Sequence, residues 1–133
     1  MRQRIVRRNE EGSALIEGTL VMPFILIVVV PTLLQFGLWY HANTAAKVAA
    51  RQGAVAASYP EVPPAEGEVV ALAFVEQQAS RMLRNPTASV AVAGEYVRVD
   101  VRGQAVRLVP FVSLDVGGSA EAVVERFRSE TER

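Results

Sequence analysis

The side chains of this sequence that could do chemistry are few and scattered. His41 is the single histidine and there is no cysteine. A histidine without cysteines or nearby carboxylates makes a poor metal site. Glu95 and Asp100 form a loose carboxylate pair, the minimum for general acid–base work, but strand exteriors commonly carry such groups. Ser113 and Ser119 have no base that the sequence identifies, and neither a Gly-rich phosphate loop nor a nucleophile elbow occurs. These residues point away from an enzyme and away from any cofactor or metal. One carboxylate stands apart. Gly12-Ser13-Ala14-Leu15-Ile16-Glu17 places Glu17 at the mouth of a long apolar run. A carboxylate at the centre of a membrane helix is unfavourable by roughly 2.5–3.5 kcal/mol on insertion scales, and by less near the interface. Such a group calls for a partner.

The elements that must position Glu17 begin with charge. The chain has 133 residues, room for about one domain, and a formal net charge of zero, so no global charge points to nucleic acid. Arg2, Arg4, Arg7 and Arg8 crowd the N-terminus, and the next basic residue is Lys47. The absence of cysteine excludes disulfides, cysteine-ligated zinc and thiol catalysis and leaves the redox compartment open.

Gly18 to Tyr40 are 23 residues without a charge. As a helix they span roughly 35 Å, enough for a bilayer core of about 30 Å. A secretory h-region of about 7–15 residues is much shorter. Ala42-Asn43-Thr44-Ala45 is only a weak cleavage site and lies too far along for an ordinary signal peptide. The run therefore reads as a transmembrane helix rather than the buried helix of a soluble protein. The arginines ahead of it place the N-terminus in the cytoplasm and the remainder outside, with Trp39 and Tyr40 at the outer interface. Pro23 and Pro31 interrupt the hydrogen-bond ladder and should bend or loosen the helix. Two readings stand side by side: membrane helices tolerate proline as such, or a helix packed in an assembly needs the bend.

Helical character continues to about Ala57. Ala42, Ala46, Ala50 and Ala54 fall on one i, i+4 row, and Ala45, Ala49 and Gly53 on the next. Alanine is a good helix former; alternatively this strip of small residues packs against the chain's own C-terminal part or a neighbouring copy. Three prolines between Pro60 and Pro64 break the helix. A second helix is expected over residues 65–84, with Leu72, Val75, Ala79 and Met82 on its apolar face and Asn85-Pro86 as its stop. Strands follow: a weak one over 88–93, a hairpin turn at Gly94-Glu95, a strictly alternating one over 96–102, and a third over 119–127 with Ala120, Ala122 and Val124 on one face. Gly117-Gly118 reads as a turn. Leu108-Val109-Pro110-Phe111-Val112 reads as core in preference to an exposed partner or membrane contact. The fold class is α+β: a long N-terminal transmembrane helix continuing outside the membrane, a second amphipathic helix, and a small antiparallel sheet of about three strands.

With these elements in place, the N-terminal residues resemble the TadE-like pseudopilins of the tight-adherence (Flp) type IV pilus system. A basic leader, Gly12-Ser13-Ala14, Glu17, the early Pro23, and Gln35-Phe36-Gly37 within the long helix carry the likeness, over about residues 7–57. The resemblance implies cleavage between Gly12 and Ser13 by a prepilin peptidase, which makes Ser13 the first mature residue and Glu17 the fifth. It also implies a partner for Glu17: the amine that cleavage creates, on an adjacent subunit. The implied partners are the peptidase, a membrane platform protein with its assembly ATPase, other pilins or pseudopilins, and the membrane. Gly18, where major Flp pilins usually have tyrosine, and the extra domain favour a minor pilin over the main subunit. Glu10 and Glu11 also depart from the usual basic leader.

The expected layout is a leader over 1–12, a long helix over 13–57 with its transmembrane part at about 18–40, a Pro-rich linker over 58–64, an extracytoplasmic α+β domain over 65–127 and a charged tail over 128–133. The protein is expected in the cytoplasmic membrane, single-pass, and possible also in an extracellular pilus. The alternative is an uncleaved signal-anchored protein with an extracytoplasmic binding domain; an anchored enzyme ranks last.

Overall fold

The computed structural model describes the backbone of residues 8–125 and the side chains of residues 16–125. Expectations for the arginine leader and for the charged tail lie outside the described residues, whereas the third strand, expected over 119–127, instead begins at Asp115 and ends at Val123. Five elements follow in chain order: helix α1 (Arg8–Ser58), helix α2 (Glu66–Gln78), and strands β1 (Leu83–Ala93), β2 (Tyr96–Ala105) and β3 (Asp115–Val123). The architecture is α+β, with one helix among the described residues long and apolar enough to cross a membrane.

The chain divides into two units, one up to Leu34 and one from Gln35 onward. In the first unit, the helix surface is exposed and apolar: Leu20, Phe24 and Ile27 stand open on one side of it and Leu33 on another. Such a surface belongs in lipid or against other protein. The helix is continuous through Pro23 and Pro31. Beside the second proline, the Thr32 hydroxyl donates to the Val28 carbonyl at 2.7 Å, one way in which membrane helices re-engage backbone near a proline.

The second unit is built on a three-stranded antiparallel meander in the order β1-β2-β3. Strict alternation in β2 sends Val97, Val99 and Val101 to one face, where all are buried, and Arg98, Asp100 and Arg102 to the other. Register places Val90 opposite Val99 and Val99 opposite Ala120, so the apolar face continues across all three strands. The residues of α1 from Ala42 to Ala57 and those of α2 cover that face. Ala42, Ala46, Ala49, Ala50, Ala54 and Ala57 are essentially sealed from solvent. The alanine strip thus packs against the chain's own sheet.

Small residues are required because backbones meet here. A Cβ on Gly53 would lie 2.5 Å from the Gly67 carbonyl oxygen of α2, and a Cβ on Gly67 would lie 2.8 Å from the Gly53 oxygen. The two helices therefore cross at a pair of glycines.

Several sequence expectations are corrected. The second helix stops at Gln78, not near Arg84. Leu83 is needed in the sheet, opposite Ala105, and is buried there. The buried row of α2 is Gly67, Ala71 and Val75, with Ala79 just past its end. Met82 lies off that row, exposed. Asn85-Pro86 is not a helix stop. It is an irregularity inside β1, where the register shifts between Arg84 and Thr87 and Asn85 takes a φ of 49°; proline is admitted there because β1 is an edge strand. Gly117-Gly118 is not a turn but part of β3. Gly118 is small because the α1 backbone at Ala46 and Lys47 runs directly over it. Finally, the 108–112 segment is not core: Leu108 is exposed and Phe111 is 99% exposed.

Candidate functional site

Gly12 and Ser13 fall in the first turns of α1, and their side chains lie outside the described residues. Glu17 is exposed on the same helix, with Ile16 and Leu20 exposed beside it. Among the described residues no cation pairs with Glu17. Both ion pairs found there belong to Arg98, which reaches Asp100 at 3.2 Å and Glu121 at 3.6 Å on the open face of the sheet. Exposed pairs of that kind contribute about 0–1 kcal/mol. Glu17 is therefore an exposed carboxylate on an apolar helix, with no ion pair among the described residues.

The other residues with chemical potential do not assemble. Asp100 binds Arg98 rather than pairing with Glu95. No hydrogen bond among the described residues joins Ser113 or Ser119 to a base. His41 stands edge-on to the Tyr40 ring, with centroids 6.1 Å apart. No group of three metal-ligating side chains occurs among the described residues.

Sequence reasoning missed a polar row on α1. Gln35, Trp39 and Asn43 recur every four residues, so they share one helix face. Gln35, set in the apolar run, is 3% exposed. Its Oε1 accepts from the Leu108 N–H at 2.7 Å and the Val109 N–H at 3.3 Å. Its Nε2 donates to the Val106 carbonyl at 3.0 Å. One turn on, Trp39 Nε1 donates to the Asp115 carbonyl at 3.0 Å. A further turn on, Asn43 Oδ1 accepts from the Gly117 N–H at a long 3.4 Å. The row fastens the loop after β2 and the start of β3 to the helix. The signal was available: an amide inside an apolar run must find partners.

Gln35→Leu should leave two N–H groups and one carbonyl of the loop without partners, each at a cost of about 1–3 kcal/mol. Hydrogen exchange should then accelerate at the Leu108 and Val109 amides but not at Val99 in the centre of the sheet. Unchanged exchange at both loop amides would show that Gln35 does not hold the loop.

The helix that carries Glu17 and this row also carries the likeness to known proteins. Residues 12–55 match the family profile described as TadE-like protein. No curated protein and no solved structure matches the chain.

Proposed function

We propose that this chain, a Tad-pilus-associated protein by its TadE-like segment over residues 12–55, is a minor pilin or pseudopilin that is processed at Gly12–Ser13 and then takes part in assembling a Flp-type pilus or a related secretion machine. The match begins at Gly12, the residue after which cleavage falls, and this observation carries the reading. The exposed apolar stretch from Ile16 to Leu34 supports it, because a single-pass anchor of this kind holds the subunit in lipid until neighbouring helices cover it. The cytoplasmic N-terminus follows from the leader arginines.

The role is structural. Cutting the Gly12–Ser13 peptide bond frees an α-amine on Ser13, and Glu17 of an adjacent subunit accepts it as its counter-charge. A charge in apolar surroundings is tolerated when paired. The working partners are the prepilin peptidase, the membrane platform with its ATPase, and other pilins. Bending at Pro23 and Pro31 would fit the helix among its neighbours.

The N-terminal mass of the membrane-extracted protein tests this reading. A mature chain starting at Ser13 is expected, and Gly12→Val should block processing while leaving membrane insertion intact. An intact Met1 start in cells with an active prepilin peptidase overturns the proposal in favour of an uncleaved signal anchor with an extracytoplasmic binding domain.

A further inference from the structure

The loop joining β2 to β3 leaves its largest apolar side chain, Phe111, almost wholly exposed. Val109-Pro110-Phe111-Val112 forms a turn closed by Val112 N–H donating to the Val109 carbonyl at 3.5 Å. Proline stands second in it. Phe111 stands third with a φ of 69°, a left-handed position that favours glycine. The fold thus places a bulky aromatic where the turn would rather have no side chain, and points it fully into the open, 99% exposed. Leu108 and Val112 are exposed beside it. Nothing in the packing of the second unit accounts for this apolar tip.

Its position does. The three hydrogen bonds to Gln35 fix the loop against α1 inside the charge-free run, whose last six residues, Gln35 to Tyr40, belong to the same unit as the loop. Gln35 lies five residues before Tyr40, or about 7.5 Å along a helix. If Trp39 and Tyr40 mark the outer interface, the loop sits at a depth matching that of interfacial segments, about 5–10 Å into the headgroup–acyl boundary. Backbone at such a depth must be satisfied within the protein, and Gln35 satisfies two N–H groups and one carbonyl of this loop. Residues 106–114 contain one cation, the exposed Arg107, and no acidic residue, a charge balance suited to anionic headgroups.

We propose that the Leu108–Val112 turn is a second membrane contact: Phe111 and Leu108 enter the outer leaflet of the bilayer beside α1, with Arg107 at the headgroups, and so fix how the folded unit sits on the surface. The occupant is the lipid bilayer. The inference rests on α1 being membrane-spanning.

The chain has no cysteine, so Phe111→Cys, Leu26→Cys and Glu121→Cys each accept a single environment-sensitive fluorophore. Each labelled full-length protein is placed, at low protein-to-lipid ratio, in vesicles of phosphatidylcholine and phosphatidylglycerol with nitroxide-bearing acyl chains. At position 111 the label should be blue-shifted, lose most of its emission to the nitroxide lipids, and be quenched by aqueous iodide severalfold less than at position 121. A position-26 label quenched by the lipids with a water-exposed label at position 111 overturns the loop proposal and leaves the anchor standing. A position-26 label that escapes the lipid nitroxides overturns the anchor itself. A label at 111 shielded from iodide yet untouched by lipid nitroxides would assign the turn to a neighbouring protein and also overturn the proposal. Phe111→Gly relaxes the turn, so its fold should be retained; intrinsic emission from Trp39 in the same vesicles should then become more accessible to iodide. Unchanged accessibility would count against the proposal.

Discussion

Replacing Glu17 with alanine is expected to leave membrane insertion intact and to remove the protein from assembled pilus fractions. Insertion should if anything improve, since the substitution takes a carboxylate out of an apolar helix. Assembly is where the cost falls. Glu17 is exposed and has no counter-charge among the described residues. In the proposed assembly it meets the Ser13 amine of a neighbour in apolar surroundings. Removing one member of a pair that has been taken out of water costs about 3–5 kcal/mol, because the other charge stays behind uncompensated. Each subunit contact would weaken by two or more orders of magnitude, since about 1.4 kcal/mol corresponds to tenfold. Co-isolation of the variant with other pilins, beside its level in the membrane fraction, reads both halves of the prediction. Glu17→Gln keeps the shape and removes the charge; it should fail like alanine. Normal assembly of either variant would remove the charge-pairing account.

Gly118→Ala should be the most damaging single-methyl change in the second unit. A Cβ there would run into the backbone of α1 at Ala46 and Lys47, and backbone cannot swing aside as a side chain can. Overpacking of this kind costs about 1–3 kcal/mol and occasionally more. In a unit of this size each kcal/mol corresponds to roughly 4–8 °C in Tm. The neighbouring glycine supplies the control. A Cβ on Gly117 would meet only the Val101 carbonyl oxygen at 3.9 Å, so Gly117→Ala should leave Tm nearly unchanged. Thermal melts of the two full-length variants in detergent make the comparison. Equal Tm values would mean that α1 does not press on β3 as described.

The same residue explains where sequence reading reaches its limit. Gly117-Gly118 has the composition of a turn, and nothing local says that Gly118 is a gap left for a helix arriving from more than seventy positions earlier in the chain. Asn85-Pro86 has the composition of a helix stop, yet it lies within an edge strand that bulges around it. Leu108 to Val112 has the composition of core, and its exposure becomes intelligible only once Gln35 is found holding the loop. What was legible came from periodicity. The alternation of residues 96–102 gave β2 and its buried valines. The charge-free run gave the apolar helix, and the alanine rows gave a surface made for close approach. The Gly12–Glu17 offset pointed to the TadE-like segment, since short-range spacing survives in a sequence where long-range packing does not.

A three-stranded sheet has two free edges, and each is a template on which another strand can pair. The β1 edge offers Val90, whose N–H donates instead to Glu68 Oε1 of α2 at 3.1 Å. Farther along the same edge, Pro86 has no N–H to give. On the β3 edge the Gly117 N–H is turned toward Asn43. At these positions an incoming strand would find the backbone N–H already engaged or missing. At those points the two edges are blunted against pairing with a further strand. The exposed apolar flank of α1 from Ile16 to Leu34 carries no such guard.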